Sequence, residues 1–413
     1  MSASMGRAWV RPARAGGDPA PPAGPVEEEC SVRDAVIVEA VRTPVGKRNG
    51  GLSGVHPVSL SAHVLKALAG RSGIDPAVVD DVIWGCVGQV GEQTFDIGRN
   101  AVLAAGWPET VTGVTVDRQC GSSQQSVHFA AAGLIAGQYD VVVAGGVESM
   151  SRVPMGSSIQ GANPFGPEFF ERYEGVLPNQ GVGAEMIAER WGLSRTQVDE
   201  YSVGSHEKAA AAQDAGRFEG QIAPLTNDQG ELISADEGIR RGTTVDVLAK
   251  LKTVFKPDGG VITAGNSSQI SDGSAALLMT TSEKARELGL TPIARVHTAV
   301  LAGADPIIML TAPIPATRKA LARSGLSLDE IGAFEVSEAF APVPLAWLAD
   351  LGADAKALNP NGGAIALGHP LGGSGARLMT TLVHHMRDNG VRYGLQTMCE
   401  GGGQANATIL ELL

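Results

Sequence analysis

The sequence predicts an α/β fold made of two similar halves, with a loop-rich insertion in the first. Three observations carry this. Short apolar runs that read as buried strands alternate with segments of helical spacing, the pattern of α/β layers. Segments 252 residues apart match in order without a gap: SGIDPAVVDDVIWG from Ser72 pairs with SGLSLDEIGAFEVS from Ser324. The same offset sets Cys120-Gly121-Ser122 on Gly372-Gly373-Ser374 and Val147-Glu148 on Cys399-Glu400. Three matches in one register indicate duplication. Between Met150 and about Gly273 the strand–helix alternation loosens into Pro- and Gly-bearing loops and polar helices, as in an insertion over the body.

Taken in order, residues 1–33 are rich in Pro, Gly, Ala and Arg without periodicity, and are expected to be a disordered tail. Arginines without acids at its front resemble a targeting peptide, but prolines break the amphipathic helix that such a peptide needs. Folded sequence starts at DAVIVEAVRTPVG, a buried strand ended by a Pro-Gly turn signal. HPVSLSAHVLKALAGRSG has helical spacing and a glycine stop. DDVIWGCV and GVTVD read as strands, SSQQSVHFAAAGLIAGQYD as a helix, and DVVVAGG as a strand. The organisation is thus a tail over 1–33, a first half over 34–290 carrying the insertion at about 150–273, and a second half over 291–413.

The bulk numbers bound the function. With 413 residues, 43% hydrophobic and 18% charged, the chain can bury a large core. A net charge of −12 argues against a nucleic-acid partner. No apolar run reaches bilayer-spanning length. The four cysteines, Cys30, Cys86, Cys120 and Cys399, form no C-x-x-C pair, so neither a zinc knuckle nor a redox dithiol is expected. Few cysteines in a long chain fit a reducing compartment, and the expected location is cytoplasmic.

Three residues stand where chemistry could be done. Cys120, in VDRQCGSSQQS, follows a strand and precedes a helix, where the dipole and free N–H groups would lower its pKa. A buried structural cysteine is the competing reading. His369 lies in NPNGGAIALGHPLGGSGAR between a glycine and a proline, which suits a general base poised near neutral pH, or simply a histidine packed in a turn. Cys399, in TMCEGGGQA, precedes three glycines whose N–H groups could bind an anion. Ser337 and Glu338 lie in EVSEAFA, on the strand of the second copy, and TAGNSSQISDG is a further polar loop.

These motifs resemble the thiolases, the acyl-CoA C-acyltransferases, over about Asp34 to Leu413: VDRQCGSS, VVAGGVESMS, TAGNSSQISDG, SEAFA, NPNGGAIALGHPLGGSG and CEGGGQA. The resemblance implies a five-layer αβαβα body of two similar halves with a loop domain over the site. It implies Cys120 as acylated nucleophile, His369 as its activator and Cys399 as the second acid or base. It also implies an oxyanion hole from the N–H groups of Cys120 and Gly401, Ala264 and Ser268 along the pantetheine arm, and Phe255 and Met155 lining the pocket. Acyl-CoA and CoA are the implied substrates, with no metal and no further cofactor, in a homodimer or homotetramer. One departure stands out: Ser337 replaces the asparagine that usually precedes the glutamate. Thiolytic cleavage of 3-ketoacyl-CoA is the expected reaction. Acetoacetyl-CoA-forming acetyl transfer and a non-catalytic acyl-CoA-binding subunit are the alternatives. A β-ketoacyl synthase would carry histidine where Cys399 stands.

Overall fold

A computed structural model describes residues 33–413. The expectations for the tail and Cys30 lie outside the described residues, save at Arg33. That side chain binds the Leu134 and Tyr139 carbonyls and Asp140.

Nine strands of four or more residues make the sheet: β1 (Val36–Arg42), β2 (Asp81–Gly85), β3 (Thr112–Val116), β4 (Val141–Ser149), β5 (Ser271–Thr280), β6 (Ala294–Gly303), β7 (Ala333–Val336), β8 (Tyr393–Glu400) and β9 (Gln404–Leu412). The helices of eight or more residues are α1 (Pro57–Ser72), α2 (Ile97–Ala104), α3 (Ser122–Ala136), α4 (Gln180–Arg190), α5 (Arg195–Asp214), α6 (Pro313–Ser324), α7 (Pro342–Leu351) and α8 (Leu371–Asn389). Local chemistry sets their ends. The Ser194 side chain and Gln197 form a capping box on α5, and left-handed glycines Gly73, Gly137 and Gly390 stop α1, α3 and α8.

Strand order is β7-β8-β9-β6-β1-β5-β4-β2-β3. Within the first half β2 and β4 are parallel, and β5 and β1 follow antiparallel. In the second half β7 and β8 are parallel, with β9 and β6 antiparallel. The halves meet at a two-residue seam, Val36 with Arg295 and Ile37 with Ala294. Beyond it the strands diverge into two sheets with α3 and α8 between them. Accordingly α8 is buried over nearly its whole length, and one apolar cluster joins Val127 and Leu134 of α3, Met379 and Val383 of α8, and strand residues of both sheets. Helices α1 and α2 cover one outer face and α6 and α7 the other, giving five layers.

Strand β3 has no partner strand in the second half. The residues 252 positions on, Ala364 to Gly368, instead form a helical turn (Ala364–Leu367) and the start of the loop into His369. The chain leaves the sheet after Ser149 and re-enters it at Ser271, paired antiparallel to the strand it left. The segment between carries α4 and α5. It is pinned to the body by a buried bidentate ion pair, Arg42 Nη1 to Asp236 Oδ1 at 2.7 Å and Nη2 to Oδ2 at 2.9 Å.

Candidate active site

The first turns of α3 and α8 meet main chain to main chain. A Cβ on Gly375 would lie 2.3 Å from Ser123's neighbour, Gln124 N, and one on Gly85 would lie 2.4 Å from Ser123 N and 2.7 Å from Gly372 O. Only glycine allows this approach. Ser123 Oγ accepts from Ala376 N at 2.8 Å and ties the helices together. Cys120 immediately precedes the start of α3, and His369 that of α8, so both arrive at one place.

Cys120 sits on a tight turn. Gln119 is left-handed at φ 48°, and the N-cap of α3 is Gly121. The cysteine is therefore just outside the helix, and as a residue it is half-buried. The sequence reading expects a lowered thiol pKa here. The structure corrects this: dense surroundings push the thiol pKa up, and nearby Cys399 and Glu400 push it further, outweighing the cysteine's own N–H. The enclosure thus favours the Cys120 thiol over the thiolate.

His369 stands just before α8. Its Nδ1 lies 2.6 Å from Ser374 Oγ, and that hydroxyl donates to Pro370 O at 2.8 Å. With its single proton committed, Ser374 can only accept from Nδ1–H. The lone pair is then on Nε2, which is buried and has no hydrogen-bond partner among the described residues. The main chain that carries the ring is held by bonds from His369 N to Gln269 O and Ser271 Oγ. Gly368, at φ 96°, has no room for a Cβ, which would fall 2.3 Å from Ser271 Oγ. The expected pKa near neutrality is also corrected. Burial, with Arg377 second, pulls it down to about 3, so the imidazole is neutral at physiological pH.

Cys399 is buried at the end of β8, in an apolar cluster with Phe255, Ala339 and Phe340. Burial and Glu400 push its thiol up to about 12, partly offset by its own N–H, Ser337 and the Ala339 N–H. Ser337 lies one residue past β7, not on the strand as expected, because β7 ends at Val336. Its hydroxyl favours the Cys399 thiolate by proximity, yet makes no well-directed hydrogen bond to any described residue. Gly401 packs on the Cys120 turn: a Cβ there would lie 2.9 Å from Gln119 Oε1. Phe255 stands edge-on to Phe340 at 6.1 Å. Ser268 N donates to Ala339 O at 2.9 Å, which brings the TAGNSS loop beside Cys399, with Ala264 exposed on it. Met155 is not drawn in. It is 55% exposed on the insertion, where its sulfur meets Gln180 Nε2.

Sequence reasoning missed two supports. One is Ser374, though the offset aligns it with Ser122, whose hydroxyl bridges the Cys120 turn. The other is the work of Glu338. Its buried carboxylate accepts from Tyr201 Oη, Ser205 Oγ, Asn359 Nδ2 and Ile365 N at 2.7 to 3.1 Å. This clamps α5 of the insertion onto the loop that delivers His369. Cys86 is apolar packing, with its thiol pushed far up by burial.

Two thiols, a neutral imidazole with a free lone pair and an unpartnered hydroxyl form a site competent for acyl transfer through cysteine. Among the described residues no cluster of His, Cys, Asp and Glu could hold a metal ion. No helix there is long and apolar enough to cross a membrane. Known proteins agree with this class. Residues 35–283 match the thiolase N-terminal domain and residues 290–412 the thiolase C-terminal domain. The chain is 49% identical to a steroid 3-ketoacyl-CoA thiolase of Mycobacterium tuberculosis over 92% of this chain and 94% of that protein. It is 45% identical to a 3-ketoacyl-CoA thiolase of Pseudoalteromonas translucida (92% and 99%) and 44% to one of Photobacterium profundum (92% and 100%). The chain belongs to the thiolase family and is an acyltransferase.

Proposed function

We propose that this protein is a degradative thiolase that cleaves 3-ketoacyl-CoA with CoA. The observation that carries the reading is the Pro370–Ser374–His369 chain, which leaves the Nε2 lone pair free in the site. His369 takes the Cys120 proton, and the thiolate attacks the keto carbon of the substrate. The bond between the α and β carbons breaks, and the departing acetyl-CoA carbanion takes the Cys399 proton. Acyl-Cys120 remains. CoA gives its thiol proton to Cys399 and attacks the acyl carbon. Cys120 then recovers its proton from His369, completing a ping-pong cycle. The N–H groups of Cys120 and Gly401 serve one oxyanion. Protonated His369 and Ser337 serve the other, with Ser337 standing in for the amide usual in the family. Ser268 and Ala264 flank the pantetheine arm, Phe255 lines the acyl pocket, and Met155 would reach a ligand only at its rim.

The names of the relatives support a 3-ketoacyl-CoA, including bulky ring-bearing ones, as substrate. A homo-oligomer is part of the same reading. Strand β3 ends the sheet, pairs only with β2 among the described residues, and has Val114, Leu103 and Phe129 exposed beside it. A cytoplasmic location fits Cys86, Cys120 and Cys399, all free. The test is thiolysis of acetoacetyl-CoA, 3-ketooctanoyl-CoA and a ring-bearing β-ketoacyl-CoA, with Cys120→Ala as blank. Preference for the longer or bulkier substrates is expected. Preference for acetoacetyl-CoA would indicate the acetyltransferase, and no Cys120-dependent turnover would indicate a binding subunit.

A further inference from the structure

Glu400 follows Cys399 and is completely buried, yet neither carboxyl oxygen has a hydrogen-bond partner among the described residues. Its counterpart 252 residues earlier, Glu148, is buried and saturated. It accepts from Val87 N, Gly88 N, Gln93 Nε2 and Gly372 N at 2.7 to 3.0 Å. Gly372 belongs to the first turn of α8, so Glu148 caps that helix. The N–H at the matching place in the other half is that of Cys120. Glu400 stands over this helix start, where a Cβ on Gly121 would fall 2.0 Å from its Oε1, but it takes no N–H there.

The groups facing Glu400 are few. From the turn after β3 come Arg118 and Cys120, and from β8 comes Cys399. Arg118 commits Nη1 to Gln404 Oε1 at 2.9 Å rather than to the carboxyl. From β9 comes Asn406. Its Nδ2 donates to Gly121 O at 3.1 Å, its Oδ1 has no partner, and its main-chain N–H is near without a well-directed bond. Glu148 also acts on Cys120, from the first half.

We propose that Glu400 is a positioning residue that sets the reactivity of Cys120: the working enzyme holds it as a neutral acid, and loss of its proton suppresses the nucleophile. The reading rests on Cys120 being the nucleophile. As a neutral acid, Glu400 leaves the Cys120 N–H to the substrate oxyanion. As a carboxylate, it opposes thiolate formation and competes for that N–H as Glu148 competes for Gly372. Burial that keeps a carboxyl neutral is an established device, and here it outweighs Arg118 and raises the Glu400 pKa to about 8.

The test follows alkylation of Cys120 by iodoacetamide in the full chain, read by mass spectrometry from about pH 6.5 to about pH 9.5, for wild type and Glu400→Gln. The wild-type rate is expected to fall behind above about pH 8. Glu400→Gln should be about tenfold faster at the alkaline end and within about twofold at the acid end, as for one like charge beside a thiolate. A constant ratio across the range overturns the proposal. Infrared difference spectra supply a second readout. A protonated-carboxyl band lost in Glu400→Gln should be present at neutral pH and fade at alkaline pH, and its absence at neutral pH is equally fatal. Wild-type Cys120 that is never acylated by a 3-ketoacyl-CoA would sink the nucleophile reading itself. Acylation with a constant alkylation ratio sinks only the role of Glu400.

Discussion

Replacing Ser374 by alanine tests the link between geometry and rate most directly. The hydroxyl is fully buried and engages His369 and Pro370. It accepts the Nδ1 proton of His369 at 2.6 Å and passes its own to Pro370 O. Without it, Nδ1–H is left buried and unpaired, which costs about 1–3 kcal/mol in the tautomer that keeps Nε2 as acceptor. The ring escapes by moving its proton to Nε2 or by turning, and either change removes the base. At about 1.4 kcal/mol per decade, kcat for thiolysis falls by roughly 5- to 150-fold. Ser374 is fully buried with its hydroxyl committed to His369 and Pro370, so KM should stay within about twofold. Cys120 alkylation should slow in parallel, while the melting temperature reports whether the fold survives. A folded Ser374→Ala enzyme with kcat within about twofold of wild type would refute the idea that this hydroxyl fixes the tautomer.

Three further outcomes are expected. Asp236→Ala strands the Arg42 guanidinium in the interior and should cost about 3–5 kcal/mol in urea unfolding, and a loss below about 1 kcal/mol would show that the pair is not what holds the insertion down. Ser337→Ala removes the hydroxyl beside Cys399 and should lower kcat by about 10²–10³ with little change in stability, whereas unchanged turnover would dismiss Ser337 as an oxyanion contributor. His128 is held neutral by burial, which lowers its pKa to about 3, so its stabilising effect is complete above about pH 6.5 and is lost as pH falls towards 3. His128→Gln should therefore flatten the acid side of the stability–pH curve by up to about 1.4 kcal/mol per pH unit, and an unaltered slope would count against this assignment.

Much of this was written locally in the chain. The strands at Val36–Arg42 and Val141–Ser149 read out because they are short apolar runs closed by turn residues, and α1 because His56, Pro57 and Gly73 punctuate it. β5 was not legible: SDGSAALLMT is buried on both faces, so it lacks alternation, and its small residues carry little strand propensity. Cys120, His369 and Cys399 stood out by their glycine-rich surroundings. Their protonation states did not, because desolvation depends on what the other half packs against them. A helix start predicts a lowered thiol pKa, but enclosure between two sheets reverses the sign. The place of Ser337 was visible as a departure, while its proximity to Cys399 required the pairing of β7 with β8. Met155 was read from its place along the chain, and the insertion's own loops carried it outward.

The contact between the first turns of α3 and α8 has a consequence for how the enzyme can vary. Cys120 and His369, the proposed nucleophile and base, are spaced by backbone resting on backbone at Gly85, Gly372 and Gly375, not by interdigitated side chains. Rotamer changes or repacking in the apolar layers alter volumes that this spacing does not depend on. Mutational drift in the core should therefore erode stability gradually while the catalytic distance holds. A single added methyl at one of these glycines pries the halves apart at the point of chemistry, so tolerance here is decided by a few positions with no side chain to lose.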